Sequence, residues 1–521
     1  MAVGSGSTEL TMDGPLHRMS AGRLRVALTG LMLALFVSML SSTIVANALP
    51  RIIGDLGGSQ TGYSWVVVAT LLALTATTPI WGKLADLFDK LLLVQVAMLL
   101  YCAGSLVGAF SHSMTVLLVA RAVQGIGAGG LSALSLVIVG WVGTPKERAR
   151  FSGYLGAVYA VATLAGPLIG GVIVDSPLGW RGCFFASLPI AVVAMVLLQL
   201  TLRLPRGRSP VRIDLAGSAL VVTSVGLLLV WTSLVGQQFA WLSVSTVGML
   251  GGGLVVGVVA VVVELRHPEP VLPLRLFRNR NVLMSTLASG LLATVAFAAT
   301  LYPAQYFQLA RGMSPQAAGL MTMTTVGSLA LASVVSGRKI NGRYWRVWLV
   351  SGTGAVALGS GLLGTVDVHT HLVAVGVYLG VLGLGLGLTT QNLVVAVQNN
   401  VELSDLGAGT SMANFARSFG GAVGVCVMGA VLSARTATVV ADGLSGPGQE
   451  TGPLPEPGRI PILETLSTPV RELYSSAYGT AFGEAFLAIA PVALLSIVCV
   501  LLLRPAVRTD DAVPMPPEIT A

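Results

Sequence analysis

Charge is scarce in this sequence. Asp, Glu, Lys and Arg make up 10% of its 521 residues, where soluble globular chains carry about 25%. So few charges could not cover the surface of a water-soluble fold of this length, which excludes a soluble enzyme, a disordered chain and a nucleic-acid binder. Cysteine is almost absent too. Cys102, Cys183, Cys426 and Cys499 stand singly in apolar stretches without C-x-x-C spacing, so neither a disulfide framework nor a metal site is expected. No G-x-x-x-x-G-K-[ST] occurs, so no ATPase is built into the chain.

What is abundant is apolar length. Hydrophobic residues account for 54% before the 63 glycines are counted, and mean hydropathy is +0.82. A bilayer core needs roughly 20 apolar residues as a helix. Fourteen such stretches can be read: 26–49, 64–83, 91–111, 114–142, 151–174, 183–202, 214–236, 241–264, 281–306, 316–336, 345–366, 372–398, 406–434 and 480–503. The fold class is therefore all-α integral membrane. With the N-terminus in the cytoplasm, 22 of the 30 Lys and Arg fall in inner loops or tails and six in outer loops, leaving Arg121 and Arg417 inside spans. That bias puts both termini on the cytoplasmic side of a cell membrane and explains the net charge of +8 without an acidic partner. The longest extramembrane segment, 435–479, lies outside. Its Gly-Pro content reads as a flexible tether.

Three segments carry motifs. After the second span comes Gly82-Lys83-Leu84-Ala85-Asp86-Leu87-Phe88-Asp89-Lys90, where Gly82 would let two helices approach and Asp86 could accept from a helix N-terminus. In the fourth span, Arg121-Ala122-Val123-Gln124-Gly125 puts a guanidinium into an apolar helix. That costs about 2.5–3.5 kcal/mol at a helix centre and marks function or an interhelical tie. Gly125, Gly127, Gly129 and Gly130 leave the same helix a bare face for a neighbour. The fifth span holds Gly153 and Gly166-Pro167-Leu168-Ile169-Gly170-Gly171, a composition suited either to a hinge or to a tight seal.

Together these segments resemble the major facilitator superfamily, and within it the fourteen-helix drug:proton antiporters. Gly82–Lys90 is similar to the loop signature G-x-L-a-D-r-x-G-r-k, Arg121–Gly125 to R-x-x-q-G, and Gly153–Gly171 to the antiporter signature G-x8-G-x3-G-P-x2-G with Ala162 for one Gly. Ser42–Pro50 resembles D-x-T-I-V-x-x-A-L-P, and Ser41 stands where the family often has Asp. The resemblance implies two pseudo-symmetric six-helix halves around a central cavity, 26–202 and 281–503, with two inserted helices in 203–280 and cytoplasmic tails 1–25 and 504–521. It also implies a monomeric exporter of small molecules that uses no cofactor beyond the proton motive force. Gly337–Arg343 mirrors Gly82–Lys90, with Asn341 at the place of Asp86.

The acids avoid the membrane interior. Asp214, Glu264 and Glu484 alone touch spans, each near an end. Proton coupling is therefore expected to run through a cytoplasmic-half polar set of Arg121, Gln124 and Asp86, since the resemblance implies proton transfer for the Arg and gating for the Asp. Gly82, Gly166, Pro167 and Gly170 would serve the conformational change. The candidate substrate lining is Asn47, Trp65, Tyr159, Tyr302, Gln305, Gln391, Asn392, Asn414 and Arg417, which suits a lipophilic cationic or neutral compound. A dedicated self-resistance exporter or an uncoupled facilitator would share these features, and a non-transporting membrane sensor is the remaining alternative.

Overall fold

A computed structural model describes residues 21–140, 158, 161–163, 165–202, 215–235, 239, 242–267, 274–339, 345–402, 405–444 and 466–504. Lipid offers the backbone no hydrogen-bond partners, so apolar stretches of this length must form helices. Those described are α1 (Ala21–Asp55), α2 (Gln60–Leu87), α3 (Lys90–Ala109), α4 (Met114–Gly140), α5 (Val161–Val174), α6 (Arg181–Thr201), α7 (Leu215–Leu234), α8 (Val244–Arg266), α9 (Arg280–Leu309), α10 (Pro315–Lys339), α11 (Trp345–Leu363), α12 (Leu372–Gln398), α13 (Leu406–Leu444) and α14 (Thr468–Leu501). Thirteen of them are long and apolar enough to cross a membrane, and α5 is the described part of the fifth span.

Two boundaries differ from the hydropathy reading by ten residues or more. α13 runs on to Leu444 and α14 begins at Thr468, so both ends of the expected 435–479 loop are helix. Arg435, Asp442, Arg471 and Glu472, with the threonines and serines around them, keep these turns from reading as span, yet their backbone remains helical. Gly443 of α13 packs against Leu473 of α14, and Arg435 makes a two-pronged hydrogen-bonded ion pair with Glu484. Glu484 consequently lies well inside α14. The loop joining α11 to α12 crosses α14 just there, with Val366 and Val368 against Gly483 and Gly479. Glu484 is thus level with a loop, and the first turns of α14 rise beyond it beside α13.

The apolar cores show how the bundle is joined. At the end where α1 turns into α2 and α9 into α10, one buried cluster runs through both sets of helices, from Ile44, Leu49, Ile53 and Val66 to Val295, Tyr302, Phe307 and Phe482. At the opposite end the cores are separate. One holds Leu31, Trp81, Leu93, Tyr101, Leu134 and Leu198, all from α1–α6. On the other side lie Val282, Val397, Met412 and Ala413 of α9–α13, beside Leu349, Leu393 and Val500, by which the shared cluster continues down the last six helices. α7 packs on α8 and also touches α2 and α13. Among the described residues, then, the first and last six helices share a core at one end of the bundle, called here the sealed end.

Candidate functional site: a buried arginine and an interhelical seal

Glycine determines how the first site is built. α4 lies between α2 and α3, and its glycines are where the backbones meet. A Cβ at Gly125 would stand 2.5 Å from the Thr70 carbonyl of α2, and one at Gly127 2.5 Å from the Tyr101 amide of α3. Gly104 of α3 makes room in return for the backbone of Gln124. This close approach carries Arg121 into the interior at 2% exposure. Its Nε donates to the Val66 carbonyl at 3.3 Å and its Nη1 to the Gln124 side-chain oxygen. Gln124 passes the connection on, donating through Nε2 to Ser41 Oγ at 3.1 Å and Ser105 Oγ at 2.8 Å. Four helices thus meet in one network, two of them on the guanidinium and two through Gln124, and the described partners of Arg121 are all neutral.

A second set of polar contacts joins α1–α6 to α9–α14 at the sealed end. Gln60 and Gln305 exchange amide hydrogen bonds of 3.1 and 2.7 Å. The Tyr302 hydroxyl donates to the Val425 carbonyl at 2.6 Å and lies 2.9 Å from Ser64 Oγ. Tyr63 donates to the Leu301 carbonyl at 3.1 Å. Asn47 Nδ2 reaches two carbonyls, Pro167 in α5 and Pro315 in α10, each at 3.2 Å, while Gln308 donates to the Asn47 carbonyl at 3.1 Å. The Asp175 carboxylate accepts the Gln316 amide at 3.1 Å, putting negative charge on the N-terminal turn of α10.

The α5 motif supports the same seal. Gly166 fits against Thr43 and Gly170 against the Ile44 backbone of α1, Gly171 leaves room for Gln316, and the Pro167 carbonyl presses on Gly319 of α10. Of the two uses that composition allows, close packing is the one realised in this conformation. Behind it lies a small crevice lined from both sets of helices, including Thr43, Asn47, Pro167, Thr300, Thr322 and Thr325.

Comparison with known proteins decides the family. A family model described as Major Facilitator Superfamily matches residues 31–425. The chain belongs to that superfamily. It is 33% identical to "Multidrug transporter protein MdtP" of Bacillus subtilis over 80% of this chain and 77% of that one. It is 32% identical to "Efflux pump dotC" of Dothistroma septosporum over 94% of this chain and 85% of that one. Among solved structures it is similar to a bacterial homolog of the human lysosomal transporter Spinster in an inward-facing, unoccupied conformation, with TM-score 0.66 and 14% identity over 93% of this chain and 98% of that one. Superfamily membership makes the chain a multi-pass membrane transporter of small substrates rather than an enzyme.

The superfamily's expected site residues separate into groups. Asn47, Tyr302 and Gln305, read from the sequence as substrate lining, all take part in the seal, and Asn47 also lines the crevice. Trp65 packs half-buried against the shared core. Asn392 is buried and bonds back to the Leu388 carbonyl of its own helix at 2.6 Å. Gln391 is exposed, and Asn414 and Arg417 are half-buried on α13. Tyr159 and the side chain of Asp86 lie outside the described residues, as does Asn341.

Two expectations need correcting. Arg121 does not belong to a cytoplasmic-half set with Asp86. It is tied to Val66 near the start of α2, whereas Asp86 is next to the last residue of that helix. At 1.5 Å per residue the two levels are about 30 Å apart. Nor does Gly82 mediate a close approach among the described residues, since a Cβ there meets nothing within 4 Å. Sequence reading also passed over Gln60, Tyr63 and Ser64. A glutamine opening an apolar helix just after Gly57-Gly58 is a usable signal, but no pattern shows which residue 245 positions away completes it.

Proposed function

We propose that this chain is an exporter of lipophilic small molecules in the cell membrane, with both termini in the cytoplasm, acting as a monomer by alternating access in exchange for protons. The carrying observation is the asymmetric join: one apolar core and a set of neutral hydrogen bonds unite the two groups of helices at one end, while their cores are separate at the other. With the arginine-rich loops inside, the sealed end is the outer one and this conformation faces inward. The names of the relatives, multidrug transporter and efflux pump, favour outward transport. The six-two-six division is supported by α7, which contacts both α2 and α13 from beside the seal.

For proton coupling the reading assigns Arg121 and Gln124, because theirs is the charged network buried at depth. Asp86 is assigned a separate gating role at the far end of α2, on the resemblance of its loop. An uncoupled facilitator is the second reading. It is favoured by the neutrality of every described Arg121 partner, since none of them exchanges a proton near neutral pH.

The test is flux in proteoliposomes with and without an imposed pH gradient. The coupled exporter concentrates substrate only with the gradient, and Arg121→Ala abolishes that accumulation. A facilitator gives the same downhill flux in both conditions. Coupled flux preserved in Arg121→Ala would remove Arg121 from the proton route.

A further inference from the structure

Two side chains that line the crevice behind the seal each carry a buried atom that breaks the rule that buried polar groups find partners. Asn47 is 3% exposed, and its Oδ1 has no hydrogen-bond partner. The orientation of this amide is determined by its surroundings. Nδ2 faces two carbonyl oxygens, of Pro167 and Pro315, so the nitrogen must be on that side and the oxygen is left as a bare acceptor. Thr325 on α10 is 2% exposed, and its Oγ1 is likewise unpartnered. A helical threonine ordinarily satisfies itself by bonding back to a carbonyl three or four residues earlier. Thr322 does so to Gly319 at 2.8 Å and Thr300 to Ala296 at 2.7 Å. Thr325 does not, although it sits in the same helix as Thr322.

Both residues line the one crevice, one from each set of helices. Leaving a buried acceptor and a buried hydroxyl unpaired forfeits hydrogen bonds that both groups would make to water. A ligand that supplies the missing partners recovers that loss, and so would hold the two halves to a common object. The rest of the wall consists of threonine, alanine, proline and valine, with no charged side chain among the described lining residues. A cation here would lose its hydration without meeting a counter-charge.

We infer that Asn47 Oδ1 and Thr325 Oγ1 form a recognition subsite for an uncharged substrate bearing a hydroxyl or amide N–H donor. Asn47 accepts the donor and Thr325 either accepts or donates. Neutral donor-bearing compounds are selected over both cations and fully alkylated analogues. This inference rests on the export reading above and narrows its substrate class.

The experiment uses the full-length protein in nanodiscs for binding and in proteoliposomes for flux. The probes are uncharged alcohols and amides of drug size, such as chloramphenicol, each paired with its O-acetylated derivative, and ethidium as the cation. The expected result is tighter binding of the free hydroxyl form than of its capped partner, by roughly three- to ten-fold for one neutral hydrogen bond. Thr325→Val, which keeps the shape and breaks no described side-chain bond, removes most of that difference. It also leaves the thermal midpoint unchanged or higher, a result that distinguishes ligand recognition from a structural role. Equal binding of free and capped forms, a Thr325→Val variant that discriminates as the wild type does, or binding of ethidium with none of the uncharged probes would each overturn the inference while leaving export standing. Absence of flux for every probe, charged or neutral, would defeat the export reading itself.

Discussion

Gln60 on α2 and Gln305 on α9 hold each other by two side-chain hydrogen bonds, each amide donating to the other's oxygen, across 245 residues of sequence. Both are at least 96% buried. Opening the bundle at this end must break both bonds together, because neither amide has another described side-chain partner.

Gln60→Ala and Gln305→Ala should each leave one buried amide unpaired and destabilise the protein by about 1–3 kcal/mol. The double variant should cost clearly less than the sum, which a thermal double-mutant cycle measures. Each single variant should also raise labelling of Ala304→Cys, which lines the crevice behind the pair, by a membrane-impermeant maleimide added outside. Additive stabilities with unchanged labelling would show that the pair does not lock this end.

The glycines of α4 and Gly82 of α2 should respond in opposite ways to alanine. At Gly125 and Gly127 the new methyl meets backbone at 2.5 Å, so each variant should lose about 1–3 kcal/mol or more and yield little folded protein. Gly82→Ala enters open space and should gain about 0.5–1 kcal/mol from reduced chain entropy. Fluorescence-detected size exclusion after heating ranks the three. Similar midpoints would disprove the packing argument.

Gln124→Ala removes the acceptor for Arg121 and the donor to Ser41 and Ser105 in one change. Hydrogen bonds to a charged group are worth about 1.5–3 kcal/mol, so a loss of that size is expected in detergent melts. Gln124→Glu, which restores an acceptor beside the guanidinium, should recover part of it. A Gln124→Ala protein as stable as wild type would mean that Arg121 finds its partners elsewhere.

Asp367 supplies a pH dependence at the sealed end, in the loop between α11 and α12. Its carboxylate accepts from the Thr370 hydroxyl at 2.7 Å and from the amides of His369 and Thr370. The Thr370 hydrogen bond and then the two amides hold its pKa below the usual carboxylate value. A group whose folded pKa is lowered stabilises the fold above its unfolded pKa of about 3.9 and stops doing so as pH falls through the folded value. Asp367→Asn should therefore melt slightly lower than wild type at pH 7, begin to converge with it as pH falls below about 4, and match it only below the lowered folded value. An offset that persists at low pH would show that shape, not charge, accounts for the loop.

Helix positions were legible because lipid leaves an apolar segment one way to satisfy its backbone. α12 occupies 372–398 as expected, and most other ends shift by a few residues. The extensions of α13 and α14 escaped notice because hydropathy registers contact with lipid, whereas helix formation depends on propensity and on packing such as Gly443 against Leu473. For the site, Arg121 and the α4 glycines could be singled out because a charge or a bare backbone is conspicuous in an apolar helix. Asn47, Tyr302 and Gln305 stand out as polar residues at depth, which makes them candidates for substrate lining, but their part in the seal is not legible. Their partners, Pro315, Val425 and Gln60, lie far away in sequence, and span hydropathy carries no information about which way a side chain faces.

Arg121 stays charged at any physiological pH, and its ties to Val66 and Gln124, together with the Gly125 and Gly127 contacts, fix it to α2, α3 and α4 as one body. It therefore cannot change depth alone and moves only when those helices move. Rocking that carries the guanidinium along the bilayer normal does electrical work, up to about 2.3 kcal/mol per 100 mV for a full crossing and proportionately less for part of one. The balance between the two facing states is then sensitive to membrane voltage even where no ion is transported, and a cell could bias the cycle by its polarisation alone.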